Sequence, residues 1–343
     1  QPQPEIAENP AAGPTLEIFA ESDQQWTGVA VTKEGRVFVN FPRWSPEVRM
    51  SVAEVLADGS LVPFPDETWN SWTPEANSST TFVCVQSVVA DGRGSLWVLD
   101  PANVGFQGVV PGAAKLVEID AASGGVVRVF PFDGTIALPG SYLNDVRIDH
   151  LHRTAYITDS GDGALIVVDL RTGAGRRVLD DHPSTAAEDT VLTFEGNRWL
   201  LPDGSAPRVH ADGIAYDRIG DFVYYQALTG RTLYRIAGTA LRDASIDEEA
   251  LGAMVDVVAD SGPSDGLLWD EADGIFISAI EDDAVKRWNS DRGVETVIAD
   301  PRISWPDSFD LGPDGSLYVT TSQIHRGPNT TDPYRILRIT GFQ

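Results

Sequence analysis

Six polar residues, Thr27, Gln86, Asn144, Asp212, Asp265 and Asp307, each stand at the entrance to a short apolar run that turns back into a second run. The starts read Trp26-Thr27-Gly28-Val29, Val85-Gln86-Ser87-Val88, Leu143-Asn144-Asp145-Val146, Ala211-Asp212-Gly213-Ile214, Ser264-Asp265-Gly266-Leu267 and Pro306-Asp307-Ser308-Phe309. Aligned, they form one polar column, half of it acidic, followed by a column of mostly small residues. If the units are arranged radially, these positions converge on a single axis and ring one channel mouth. Carboxylates gathered on one axis repel and raise one another's pKa, so such a ring calls for a cation, a proton or an arginine to offset it. Thr27 and Gln86 are uncharged and read as lining. Asp145 adds a further acid next to Asn144, and Arg147 is the nearest arginine in sequence. His210, two residues before Asp212, is placed to overhang the mouth as an acid, a base or a contact for an amine.

The elements that must hold this ring are short β-rich runs broken by Gly, Asp-Gly and Pro. The third unit is the cleanest, with runs at 144–149, 154–159, 164–170 and 175–179. The sixth unit has only three runs after Pro306, and the spare run Thr15 to Ala20 fits as its missing fourth strand. Repetition at this period signals stacked or radial architecture, and pairing the two chain ends removes the exposed sheet edges of a ring. The fold expected is an all-β, six-bladed β-propeller over 15–343, closed by the N-terminal strand, with 1–14 as a flexible leading segment. Helical signals are confined to Pro183 to Asp189 and a turn near Ser245 to Leu251. Longer intervals leave room for insertions at 69–80, 102–113 and 182–207, where Trp69, Trp72, Phe106, Trp199 and Leu200 offer an apolar pocket wall.

The chain has 343 residues with 51 acidic against 25 basic, for a net charge of −26. Such a surface repels phosphate backbones, which excludes nucleic acid as a partner. It suits a cationic ligand or a divalent ion. The single cysteine, Cys84, lies in the apolar run Phe82-Val83-Cys84-Val85 and reads as a buried structural thiol. No apolar stretch is long enough to span a membrane. The Pro-, Ala- and Glu-rich start at Gln1 reads as a processed terminus, with a periplasmic or secreted location and a monomeric state as the expectations. No His-Glu-x-x-His, Cys-x-x-Cys, phosphate-binding glycine loop or Gly-x-Ser-x-Gly elbow is present, which argues against zinc proteolysis, nucleotide binding and serine-hydrolase chemistry.

The chain resembles the yellow and major royal jelly protein family. The resemblance is carried by Gly35-Arg36-Val37-Phe38-Val39-Asn40-Phe41-Pro42-Arg43-Trp44, Ser95-Leu96-Trp97-Val98-Leu99-Asp100, Ala155-Tyr156-Ile157-Thr158-Asp159-Ser160, Ala211-Asp212-Gly213-Ile214-Ala215 and Trp305-Pro306-Asp307-Ser308. Arg287-Trp288-Asn289 looks like the family's Cys-Trp-Asn strand end with Arg in place of Cys, and the family's paired cysteines are absent. The resemblance implies a six-bladed propeller. It leaves open binding of biogenic amines, conversion of dopachrome, or storage and signalling. A more distant similarity, to gluconolactonase-type sugar lactonases, implies one divalent ion held at inner-strand starts. By blade register Asn144, Asp212 and Asp265 fall on three ligand positions. Thr27 stands where that pattern has Glu, with Asp307 as a substitute. Calcium suits these oxygen donors, with magnesium or zinc as variants.

The favoured reading is therefore a metal-dependent, lactonase-like hydrolase of a small cyclic ester. It takes Asn144, Asp212 and Asp265 as metal ligands, and Asp265, Asp307 and His210 as the catalytic set. Thr27, Gln86, Asp145 and Trp199 contact the ligand. The alternative is a yellow-type protein that binds a small aromatic or amine, or a dopachrome-converting isomerase.

Overall fold

The computed structural model describes residues 13–342. Their strands form six four-stranded antiparallel sheets arranged as the blades of a β-propeller. Blade 1 spans Val29–Val31 to Leu61–Pro63, blade 2 Ser87–Ala90 to Val126–Pro131, and blade 3 Leu143–Asp149 to Gly175–Val178. Blade 4 spans Ala211–Asp217 to Asp256–Asp260 and blade 5 Ser264–Asp270 to Gly293–Ala299. Blade 6 runs Pro306–Leu311, Leu317–Thr321, Tyr334–Thr340 and, outermost, Thr15–Ser22. The N-terminal strand thus closes the ring as expected, pairing Thr15 with Thr340 through Ser22 with Tyr334.

Each blade packs both faces against its neighbours, so its middle strands read as unbroken apolar runs rather than alternating ones. Every residue of Thr154–Asp159 is buried. Phe38, Phe64, Phe82, Leu96 and Val117 fill the gap between blades 1 and 2, and Trp97, Leu116, Val146, Ile157 and Ile166 that between blades 2 and 3. Each such side chain contributes about 1.5–3 kcal/mol by leaving water. Cys84 lies in this core, fully buried, and burial pushes its thiol up to about 12.

The innermost strands begin at one face, termed upper here, and end at the lower one. In blades 3 to 6 the strand slips register at its start, between Leu143 and Val146, Ala211 and Ile214, Ser264 and Leu267, and Pro306 and Phe309. These bulges contain Asn144, Asp212, Asp265 and Asp307 of the polar column, and a bulge re-aims the side chains it carries. Hydroxyls on the second strand fill three of them. Thr158 accepts from Asp145 N (3.1 Å), Ser278 from Asp265 N (2.9 Å) and Gly266 N (2.8 Å), and Thr320 from Ser308 N (3.1 Å). Thr158 in turn donates to the Asp212 carbonyl at 2.5 Å, so one hydroxyl ties blade 3 to blade 4.

The small residues after the column have a steric cause. A Cβ on Gly266 would lie 2.0 Å from the Asp307 carbonyl oxygen, and one on Gly213 would lie 2.3 Å from that of Asp265. Gly266→Ala must therefore push blades 5 and 6 apart, and is expected to lower stability by about 1–3 kcal/mol or more. Denaturant unfolding checks this; an unchanged midpoint would show that the blades can separate freely.

One expectation is corrected, while the helical turn expected near Ser245 to Leu251 is present. Pro183 to Asp189 is a chain of turns, because the Thr185 hydroxyl is drawn to the Gly163 and Leu179 carbonyls (3.1 and 2.7 Å) instead of continuing a helix. The helices are Gly238–Arg242 and Glu248–Gly252, the latter capped by Asp247 accepting from Ala250 N. No helix among the described residues is long and apolar enough to cross a membrane.

Candidate functional site

A cavity of about 470 Å³ opens on the upper face, inside the ring of strand starts. Its floor carries Gln86, Asn144, Asp212 and Asp265. One wall is a stack in which Phe106 lies 5.4 Å from Trp44 and 5.2 Å from Tyr142. Trp305 and Trp199 form the opposite wall, edge to face at 5.1 Å, backed by Phe194 and His325. Hydrogen bonds fix the first wall to the floor: Trp44 Nε1 donates to Tyr142 Oη (2.6 Å), which donates to Gln86 Oε1 (2.9 Å). Tyr142 is itself set by its own N–H, which donates to the Asp159 carboxylate at the end of the neighbouring strand (2.8 Å).

Backbone strain gathers at these walls. Phe106 has φ 59° and Trp305 φ 51°, left-handed values that cost bulky residues energy and persist only where the surroundings enforce them. Phe106 is 64% exposed, so its ring is held at the mouth without being buried by the fold.

The floor crowds carboxyl groups together in a buried setting. Asn144 Nδ2 donates to Asp212 Oδ2 (2.8 Å) and Ser160 Oγ (3.0 Å), and Trp305 Nε1 donates to Asp265 Oδ2 (2.6 Å). Burial raises the Asp212 carboxyl well above its ordinary range, and the charges of Asp265, Asp307 and Asp145 add to this. Burial also pushes Asp265 up to about 7, against the Trp305 N–H and a hydrogen bond from Asp212 that favour its ionised form. Both carboxyls are therefore held above their ordinary range, Asp212 the more strongly, and the pair carries less than its full charge near neutral pH. No Arg, Lys or His is among the residues that line this cavity.

The sequence model of the Major royal jelly protein family matches residues 83–326, more than half of the chain. The chain belongs to this family. The family's six-bladed fold, expected from the strand words, is the one observed. A sequence search of curated proteins returned no significant match. Among solved structures, the chain is similar to a luciferin-regenerating enzyme (TM-score 0.58, 12% identity, 96% of this chain and 95% of that one). It is also similar to the pyrroloquinoline-quinone-bound aldose sugar dehydrogenase of Streptomyces coelicolor (TM-score 0.55, 10% identity, 96% and 99%) and the virginiamycin B lyase of Staphylococcus aureus (TM-score 0.52, 13% identity, 95% and 99%). At these identities the likeness is one of fold.

Among the residues singled out in this family member's sequence, Gln86, Asn144, Asp212, Asp265 and Trp199 come together around the upper cavity. Thr27 and Asp307 stay behind its wall. Thr27 Oγ1 donates to the Gln86 carbonyl (3.0 Å) and accepts from Asn40 (2.8 Å), lacing blades together. Asp307 is buried with Oδ2 unpartnered, and burial and Asp265 raise its carboxyl well above the usual range. Asp145 faces downward, accepting from Ser87 (2.6 Å) and Arg147 (3.1 Å). His210 is not part of the lining. Its ring packs against Gly163, and Nδ1 accepts from Ala187 N at 3.1 Å. Trp69 and Trp72 join the blade cores rather than the pocket wall.

Sequence reasoning missed Trp44, Tyr142 and Trp305 as site residues. Tyr142 and Trp305 each stand two positions before a column residue, just ahead of the strand. That offset was the available signal.

Among the described residues, Asp149, His152 and Asp221 form a group whose ligand atoms lie within 4.8 Å of one another, as a metal site would require. It lies near the lower face, away from the column. The Arg242 guanidinium already occupies it, 3.2 Å from Asp149 Oδ2 and 2.8 Å from Asp221 Oδ2, and supplies the compensating charge itself.

Proposed function

We propose that the upper cavity is a small-molecule site for a flat, aromatic, singly charged cation, an aromatic amine in chemical class. The observation that carries this is a pair of buried carboxyls, Asp212 and Asp265, on the floor of a cavity with no basic lining residue and aromatic walls. A shared proton leaves the pair about one negative charge, the complement of one ammonium group. Trp44, Phe106 and Trp199 offer ring faces for stacking and cation–π contact, worth about 0.5–2 kcal/mol each. The volume lies within the range of about 300–1,000 Å³ typical of small-ligand sites.

A second reading retains one specific support. Asn144, Asp212 and Asp265 offer oxygen donors of the type a hard cation takes, and a cation replacing the shared proton would offset the crowded acids. Those three residues would hold the ion, which would polarise a substrate carbonyl and acidify a bound water. The protein would then be a hydrolase of a small cyclic ester or an isomerase of a dopachrome-like compound.

Thermal shift at pH 7.5 separates the two. The amine reading expects phenethylamine to raise Tm after EDTA treatment, with calcium giving no shift. A calcium-dependent Tm rise reversed by EDTA, with no response to the amine, would replace it with the metal reading.

A further inference from the structure

The lower end of the same channel holds a second cavity, of about 640 Å³, whose lining mixes arginines with the carboxylates of Asp91, Asp145, Asp149 and Asp310. The upper cavity has no basic lining residue, whereas Arg93, Arg147, Arg218 and His150 line the lower one. In a chain with twice as many acidic as basic residues, that segregation is notable.

The acids on this lining are each held by donors of the fold. Asp145 accepts from Ser87 and Arg147 (2.6 and 3.1 Å), and Asp310 from Val31 N and Leu311 N (2.7 and 2.8 Å). Asp91 accepts from Arg93 N, Ser95 N and Trp97 Nε1 (2.7, 3.0 and 3.1 Å). Asp149 is held by His152 Nδ1 (2.7 Å) and Arg242 (3.2 Å).

Donor capacity is left over. Arg147 reaches across the axis, giving Nη2 to the Leu267 carbonyl (2.6 Å) as well as to Asp145, and Nη1 to Val146 O (2.7 Å). Its Nε–H is buried with no acceptor. A buried donor left unmade is costly, and a ligand acceptor removes that cost. At the rim, the Arg93 guanidinium has no side-chain partner among the described residues, and nothing in the blade covers it. Between these two cations the lining is apolar: Val29, Val88, Ile148, Leu268 and Phe309. Leu151 and Ile219 stand at the mouth, 79% and 76% exposed.

We propose that this lower cavity is a second binding site, selective for a small organic monoanion with an apolar body, such as an aryl-alkyl carboxylate. The carboxylate meets Arg147, the body lies on the apolar collar, and Arg93 at the rim adds its positive charge at the mouth. The site is independent of the amine reading, since it shares no lining residue with the upper cavity.

Hydrocinnamate titrated calorimetrically into the whole protein at fixed ionic strength tests this, with hydrocinnamamide as the neutral isostere. Binding of the carboxylate is expected, with the amide about tenfold weaker or more, as for loss of a charge-assisted contact. Arg147→Met should weaken the carboxylate by a similar factor. Arg93→Gln, an exposed change that the fold tolerates, should weaken it severalfold while leaving phenethylamine binding untouched, and it serves if the Arg147 variant does not fold. No carboxylate binding, equal binding of the amide, or full affinity in Arg93→Gln would each overturn the proposal.

Discussion

Asp265→Asn is expected to abolish the counter-ion of the upper cavity and to weaken phenethylamine binding about 30-fold or more. That corresponds to the 2–5 kcal/mol typical of removing one partner of a buried charged contact. The shape barely changes, and an Asn amide can still accept from Trp305 Nε1, so the loss reports charge rather than packing. The same substitution should make the ligand-free protein more stable near neutral pH. Burial holds the Asp265 carboxyl at about 7 in the folded chain, against an ordinary carboxylate value in the unfolded one. Between those values the folded state binds the extra proton, so the contribution of Asp265 to stability is intact at acid pH and falls as pH rises toward 7. The loss is about 1.4 kcal/mol per pH unit across that window. Wild-type stability minus that of Asp265→Asn, followed by denaturant unfolding from pH 4 to pH 8, should therefore decrease and then level off. A flat difference would mean that the carboxyl is not held protonated. Subtracting the variant cancels His182, His210 and His325, whose burial lowers their pKa and acts with the opposite sign.

Trp305→Ala should damage both fold and site. Trp305 is wholly buried, stacks on Phe194 at 4.7 Å and His325 at 5.7 Å, and carries the N–H held by Asp265. Removing such a ring costs about 3–5 kcal/mol. Trp305→Phe keeps most of the packing and deletes the N–H, so its stability cost should be smaller. It should move the Asp265 carboxyl further up, because the bond it loses favours the ionised form. Amine binding by Trp305→Phe should then weaken most near pH 7 and recover at higher pH. A pH-independent loss would assign Trp305 a purely steric role.

The ring itself was legible because each unit repeats one local grammar: a polar residue, a small one, then an apolar strand. The repeat required that the polar residues share an axis, and the closure by Thr15–Ser22 followed from the missing fourth strand of the last blade. Where each side chain of the ring points was not legible. That depends on register slips such as the one between Ala211 and Ile214, and on partners from a neighbouring blade, as for Thr27 with Gln86. Position-by-position reasoning also fails at the flanks. Tyr142, His210 and Trp305 all precede the column by two residues, yet only two of them face the cavity. His210 is turned aside because the loop after blade 3 brings Ala187 N to its ring. Arg147 shows the same limit, since its partner Leu267 lies 120 residues away across the axis.

The central claim is that an acidic floor between aromatic walls selects a monocation. The most direct measurement is a calorimetric comparison of phenethylamine, phenylethanol and phenylacetate at the upper cavity at pH 7.5, with the lower cavity saturated by hydrocinnamate. The predicted order is amine first, the neutral alcohol about tenfold or more weaker, and no measurable phenylacetate binding. Equal affinity for the amine and the alcohol, or preference for the carboxylate, would contradict the account.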